Sequence, residues 1–188
     1  MDIQKEETVW RIIEQGTENE LHQLIMEILY STGMRVGALL GLRVKDVVQN
    51  SANHDEHVIR RAKGRNGGKP RRVFMLPRTL SKLMAFINKW GLSSDDLIFM
   101  TTASCIQKFV KATAVKVLGE VVGKRFHPHL FRHHFATHWY NKALSDDMLR
   151  DLMGHASFKT TKWVYIHVEG GDLIRRHTYG HPLDWIEA

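Results

Sequence analysis

FHPHLFRHHFATH, residues Phe126–His138, is the stretch on which the reading of this chain turns. Pro128 suits the first turn of a helix, because the N–H that proline lacks would be unpaired there anyway. The helix is predicted to run to about Asn141. On it, His129 shares a face with Arg132, three residues on, and with His133, four residues on. An imidazole that can carry a proton, beside a guanidinium that always carries charge, is a pair fit for handling phosphate. A histidine-rich helix is also a common solvated or structural element. The stretch alone leaves both readings open.

Upstream, apolar residues at Val9, Ile12 and Ile13, then at Leu21, Leu24, Ile25, Ile28 and Leu29, recur at intervals of three and four. That stripe predicts two amphipathic helices between Thr8 and Tyr30, broken near Gly16. Val36 to Leu42 reads as a further helical turn or two. Short β-branched segments follow at Val44–Val48, His57–Arg61 and Arg72–Leu76, with Gly67 and Gly68 suited to a turn between the last two. Beyond Pro77 the helical period returns in Thr79–Trp90 and Thr102–Leu118. Downstream of the quoted stretch, Ser145 with Asp146 and Asp147 marks the start of a helix through Met153, stopped by Gly154. Thr160–His167 reads as a short helix, and the tail ends in the apolar cluster Leu183, Trp185 and Ile186. The expected fold is mainly α with a small three-stranded antiparallel β-sheet, an α+β domain.

With 188 residues and 43% hydrophobic content, the chain has room for one domain with a real core. It holds 27 Lys and Arg against 20 Asp and Glu, a formal charge of +7, which favours a polyanionic partner. The distribution is more telling than the total. Residues 60–72, RRAKGRNGGKPRR, carry seven basic side chains and no acid. The single cysteine, Cys105, allows no internal disulfide, no run of apolar residues is long enough for a membrane span, and the acidic N-terminus does not look secretory. A soluble cytoplasmic protein is expected. The spacing of His129/His133 and His134/His138 raises a metal-dependent hydrolase as a rival, but no H-E-x-x-H and no carboxylate accompanies these pairs, so no metal site is expected.

Read with its neighbours, HPHLFRHHFATH resembles the P-H-x-L-R-H-x-F-A-T box of the tyrosine recombinases (phage-integrase family), with Phe131 in the leucine position. LMGHASFKTTKWVYIHV resembles their L-G-H-x-S-x-x-T-T-x-x-Y-x-H-V box. YSTGMRVGALLGLRVKDV is similar to the segment T-G-x-R-x-x-E-L-x-x-L, which holds the family's first catalytic arginine. RAKGRNGGKPRRVFMLP is similar to the β-hairpin that carries its lysine. Four boxes stand in the family's order over about residues 20–170.

The resemblance implies a tyrosine-recombinase catalytic core that cuts and rejoins double-stranded DNA through a 3′-phosphotyrosyl link, with no metal, nucleotide or small-molecule cofactor. It gives Tyr165 as nucleophile, Arg35 and Arg132 on the phosphate oxygens, and His155 as a further donor. His129 would assist proton transfer, and Lys63 would protonate the departing 5′ oxygen, with Lys69 a rival in the same hairpin. Tyr140 and Tyr179 are rivals of Tyr165, but only Tyr165 sits between a T-T pair and an H-V pair. Arg60, Arg61, Arg65, Lys69, Arg71 and Arg72 are expected to grip DNA phosphates. The catalytic domain would span residues 1–170, and residues 171–188 would form a tail packed on their own domain or a neighbouring subunit. The family's N-terminal core-binding domain is expected to be absent. The family's partner arrangement is a tetramer of protomers around two DNA duplexes.

Several positions depart from the pattern. Ala38 stands where the family has glutamate, Met153 replaces leucine before Gly154–His155, and one extra residue precedes Tyr165. These departures, with the short length, leave a rival from another class: a DNA-binding module of the same fold that does not cut. A type IB topoisomerase, which uses the same chemistry on one strand, matches the boxes less well.

Overall fold

A computed structural model describes residues 6–48, 56–59, 71–142 and Met153. The chain opens with helices α1 (Glu6–Gln15) and α2 (Glu20–Thr32), followed by the short α3 (Val36–Leu40) and α4 (Val44–Val48). Strands β1 (Glu56–Ile59) and β2 (Arg71–Phe74) pair antiparallel, with His57 opposite Val73 and Ile59 opposite Arg71. Then come α5 (Pro77–Lys89), α6 (Ala103–Leu118), α7 (Glu120–Gly123) and α8 (Pro128–Asn141). Among the described residues, no helix is long and apolar enough to cross a membrane.

Among the described residues, the expected three-stranded sheet does not form. Among the described residues there is one two-stranded sheet, and Val44–Val48, read from sequence as its first strand, is helix α4. The valines that look like strand residues are placed to serve a helix. Val44 and Val47, three apart, are both buried, and an Asp46 carboxylate oxygen accepts the Arg43 N–H at 3.0 Å, closing the first turn. Asp96 and Ser94 carbonyls take the N–H groups of Val44 and Lys45, which a sheet partner would otherwise need. Helix α5 also begins earlier than its pattern predicts, at Pro77, where proline fits the first helical position.

Helix α2 lies at the centre. It packs against α1, α5, α6 and α8, and every residue from Leu24 to Thr32 is buried. Asn19 caps its start, its side-chain oxygen accepting the N–H groups of Leu21 at 3.0 Å and His22 at 3.1 Å. Around it close Ile12 and Ile13 of α1, Leu83 and Ile87 of α5, Ile106 and Val110 of α6, and the rings of Phe126 and Phe131, 5.2 Å apart edge to face.

An acid sits inside this apolar helix. Glu27 is 1% exposed, and its carboxylate accepts the Thr79 hydroxyl at 2.8 Å and the Lys82 ammonium at 2.7 Å, with Arg78 at 3.6 Å. Arg78 in turn lies over the Trp10 ring, 4.6 Å from its centroid. A buried carboxylate needs such partners, and here they pin the first turn of α5 to the middle of α2.

At the far end of α2, Gly33 takes a left-handed conformation with φ of 59° and donates its N–H to the Leu29 carbonyl at 3.1 Å. A Cβ there would lie 2.4 Å from the Phe135 ring of α8. The two helices meet at the one residue with no side chain. The expected turn at Gly67–Gly68, the helices over 145–152 and 160–167, and the tail 171–188 lie outside the described residues.

Candidate active site

Arg35 stands where the chain leaves α2 and enters α3. Met34 before it is buried, while Arg35, in extended conformation (φ −77°, ψ 148°), caps α3 and faces solvent. Its carbonyl accepts the N–H groups of Ala38 at 2.8 Å and Leu39 at 3.1 Å, so the backbone that carries the guanidinium is fixed by the start of the helix. Among the described residues, the Arg35 side chain has no hydrogen-bond or ion-pair partner. Ala38, where the family carries an acid, is half-buried against the core.

Helix α8 brings the second group. His127 precedes the helix in extended conformation, and Pro128 opens it. His129 is exposed at the first turn, with the half-buried His133 one turn on; their rings are 5.7 Å apart and nearly perpendicular. Arg132 is on the same helix but 4% exposed. Its Nη1 donates to the Gly33 carbonyl and its Nη2 to the Met153 carbonyl, each at 2.5 Å. Gly33 lies two residues before Arg35, and Met153 directly precedes Gly154 and His155.

The electrostatics show that these groups share one neighbourhood. Although His129 is open to solvent as a residue, partial desolvation of its ring by its neighbours holds the imidazole below its ordinary pKa, and the charges of His133, Arg132, Arg35 and His127 press it further down. His133 is lowered in the same way, by burial and then by His127 and Arg132. Arg35 and His129 are far apart in the chain, yet the charge of one acts on the other. The arrangement is a cluster of two arginines and two histidines whose imidazoles are pushed toward the neutral form, chemistry suited to holding an anion and accepting a proton.

Three of the six expected catalytic residues, Arg35, His129 and Arg132, are thus brought together. Lys63, His155 and Tyr165 lie outside the described residues, as do Arg60, Arg61, Arg65 and Lys69. Arg71 and Arg72 sit on β2, opposite Ile59 and Val58. Tyr140 is half-buried near the C-terminal end of α8. The buried His138, four residues after His134, turns its Nδ1 to Glu6 Oε1 at 2.5 Å. Among the described residues, no group of three or more His, Cys, Asp and Glu is placed to hold a metal. Sequence reasoning missed Glu27, although an acid inside the run LIMEIL was visible. It also missed the Gly33 and Met153 carbonyls, which as backbone groups leave no mark in residue types.

Comparison with known proteins identifies the family. The chain is 30% identical over 168 residues to a tyrosine recombinase of Pseudothermotoga lettingae, a match covering 85% of this chain and 54% of that protein. It is 28% identical over 172 residues to tyrosine recombinase XerA of Pyrococcus furiosus, covering 89% and 58%. The chain therefore spans a little over half the length of these curated relatives. Among solved structures, that of the XerA recombinase superposes with a TM-score of 0.73 at 25% identity, over 91% of this chain and 62% of that one. A structure of XerH site-specific recombinase bound to its difH substrate superposes with a TM-score of 0.72 at 23% identity, over 93% and 52%, and shares the fold. The family model described as the phage integrase family matches residues 2–170, and the chain belongs to that family of tyrosine recombinases.

Proposed function

We propose that this chain is a site-specific DNA recombinase that cuts and rejoins double-stranded DNA through a 3′-phosphotyrosyl intermediate. The observation that supports the reading is that Arg35, Arg132 and His129, from the α2–α3 turn and from α8, lie in one neighbourhood, with Arg132 bonded to the Gly33 carbonyl and the charges of both arginines acting on His129. Tyr165 is the nucleophile. Its phenolic oxygen forms a bond to the scissile phosphorus as the bond to the 5′ oxygen breaks. A free phenol has a pKa of about 10, so the attack needs a proton acceptor, and His129 is held neutral for that part. Lys63 gives a proton to the leaving 5′ oxygen. Positive charge from Arg35 and Arg132, with a hydrogen bond from His155, meets the charge that builds on the phosphate oxygens. The tyrosyl ester retains the energy of the broken bond, so rejoining needs neither nucleotide nor metal.

The relatives support the partner. Solved neighbours include XerH in pre-cleavage and post-cleavage complexes with its difH substrate, and the Tn1549 transposon integrase with transposon right end DNA. Residues 60–72 supply the phosphate-gripping side chains, and protomers assemble as a tetramer on two duplexes. The tail 171–188 packs on its own domain or on a neighbouring subunit. A second reading, a DNA-binding module that does not cut, is favoured by Ala38 in place of an acid.

A library of nicked duplexes that trap the covalent intermediate tests both. The first reading expects adducts that survive denaturation, formed in excess chelator, and none with Tyr165→Phe. Binding without any adduct from the unaltered chain would leave only the second.

A further inference from the structure

We infer that His129 and His133 form a two-histidine chelate for a borderline divalent metal ion such as Zn²⁺, and that the bound ion switches the proposed reaction off. The chelate stands on geometry. The switch rests on the reading of His129 as proton acceptor and deepens it.

The two residues are four apart on α8, about one turn, so their side chains leave the same face of the helix. Their ring centres are 5.7 Å apart and the ring planes nearly perpendicular. With Zn–N bonds of about 2.1 Å at a tetrahedral angle, each ring centre lies about 3.2 Å from the ion and the two centres about 5.2 Å apart. The spacing on α8 therefore needs only a small turn of one ring, and the exposed His129 has room to make it. Histidines at this interval on one helix face are a general way of holding zinc.

The surroundings decide what kind of site this is. Among the described residues, no group of three or more ligating side chains includes the pair, so water fills the other positions and the ion exchanges with solution. It is a regulator and not a resident cofactor. The charges of Arg35, Arg132 and His127 act on His129 and oppose any cation. A hard ion such as Mg²⁺, which prefers oxygen ligands, gains nothing here to offset that repulsion. An ion that bonds well to imidazole nitrogen does. Occupation then silences the base. A neutral imidazole has one nitrogen with a free lone pair, and the other carries the proton. Once the ion takes that lone pair, whichever nitrogen it is, His129 has none left for the Tyr165 proton.

The test follows the histidine ring signals of the unaltered chain by NMR as ZnCl₂ is added, and in parallel measures single-turnover adduct formation on the nicked duplex. The His129 and His133 rings should shift together with one midpoint, and MgCl₂ at the same concentrations should move neither. His133→Gln should raise the midpoint at His129 by about 10- to 100-fold, because one ligand of a linked pair is gone. His134→Gln, which leaves the pair intact, should keep it. Adduct formation should fall along the same zinc midpoint and return when EDTA is added. In His133→Gln, whatever its rate without zinc, inhibition should need about 10- to 100-fold more of the ion. Should that variant unfold, His129→Gln gives the same comparison at the His133 ring.

Zinc that shifts other histidines and leaves these two unmoved would overturn the chelate. So would separate midpoints for the two rings, or an unchanged midpoint in His133→Gln. Full adduct formation with both rings saturated would overturn the switch. No adduct from the unaltered chain in EDTA would sink the reaction itself and the switch with it, while the ring titration still decides the chelate.

Discussion

An imidazole set among cations gives up its proton more readily than one in water, and His129 is in that position. Burial comes first among the causes, followed by His133, Arg132, Arg35 and His127, and all of them favour the neutral ring. A neutral ring is the form that can accept the Tyr165 proton. The sign follows: activity that needs neutral His129 holds as pH falls through the ordinary value of 6.5 and is lost only below it, at the lowered pKa. Titrating the His129 ring by NMR should give a midpoint under 6.5, and Arg35→Ala should raise it by removing one of the lowering charges. An identical midpoint in the variant would mean that Arg35 does not face His129. At this scale, the sequence named Arg35, His129 and Arg132 as candidates through their resemblance to the family's boxes, with the three-residue spacing of His129 and Arg132 visible in the residues themselves. The partners of Arg132 were not, because a carbonyl at Gly33 or Met153 belongs to the fold and not to the residue type.

Between elements, the contact that places the site is the one between α2 and α8. It is closed at Gly33, where a methyl group would meet Phe135 in a backbone conformation that costs an L-residue about 1–2 kcal/mol by itself. With the overpacking added, Gly33→Ala should lower the free energy of unfolding in urea by about 2–4 kcal/mol. Gly37→Ala is the control. Nothing lies within 4 Å of its Cβ position, and alanine is the better helix former, so stability should be unchanged or rise by up to about 1 kcal/mol. Equal stability of Gly33→Ala and the unaltered chain would refute the close approach. The helices themselves were legible from their periods of three and four, because each has one face on the core. Helix α4 was not. Five residues are too few to separate a buried helical turn from a strand, and Asp46, which decides it, acts through a local bond to Arg43. The two-stranded sheet followed the pattern at β1 and β2, and among the described residues no third strand joins it.

For the whole molecule, the central helix α2 is buried from Leu24 to Thr32, the cationic cluster stands at its C-terminal end, and the proposed nucleophile is Tyr165, as the family boxes imply. The boxes were legible because they keep the family's residue types in the family's order, and membership of the phage integrase family agrees with them. The convergence of Arg35 and His129 was not, since nothing in the chain says which turn folds back on which helix. The most direct measurement is to digest the trapped protein–DNA adduct and identify by mass spectrometry the peptide that carries the nucleotide. The account predicts a single modified peptide, with the 3′-phosphate esterified to Tyr165. A nucleotide attached to Tyr140 or Tyr179, or no phosphotyrosyl peptide at all, would contradict it.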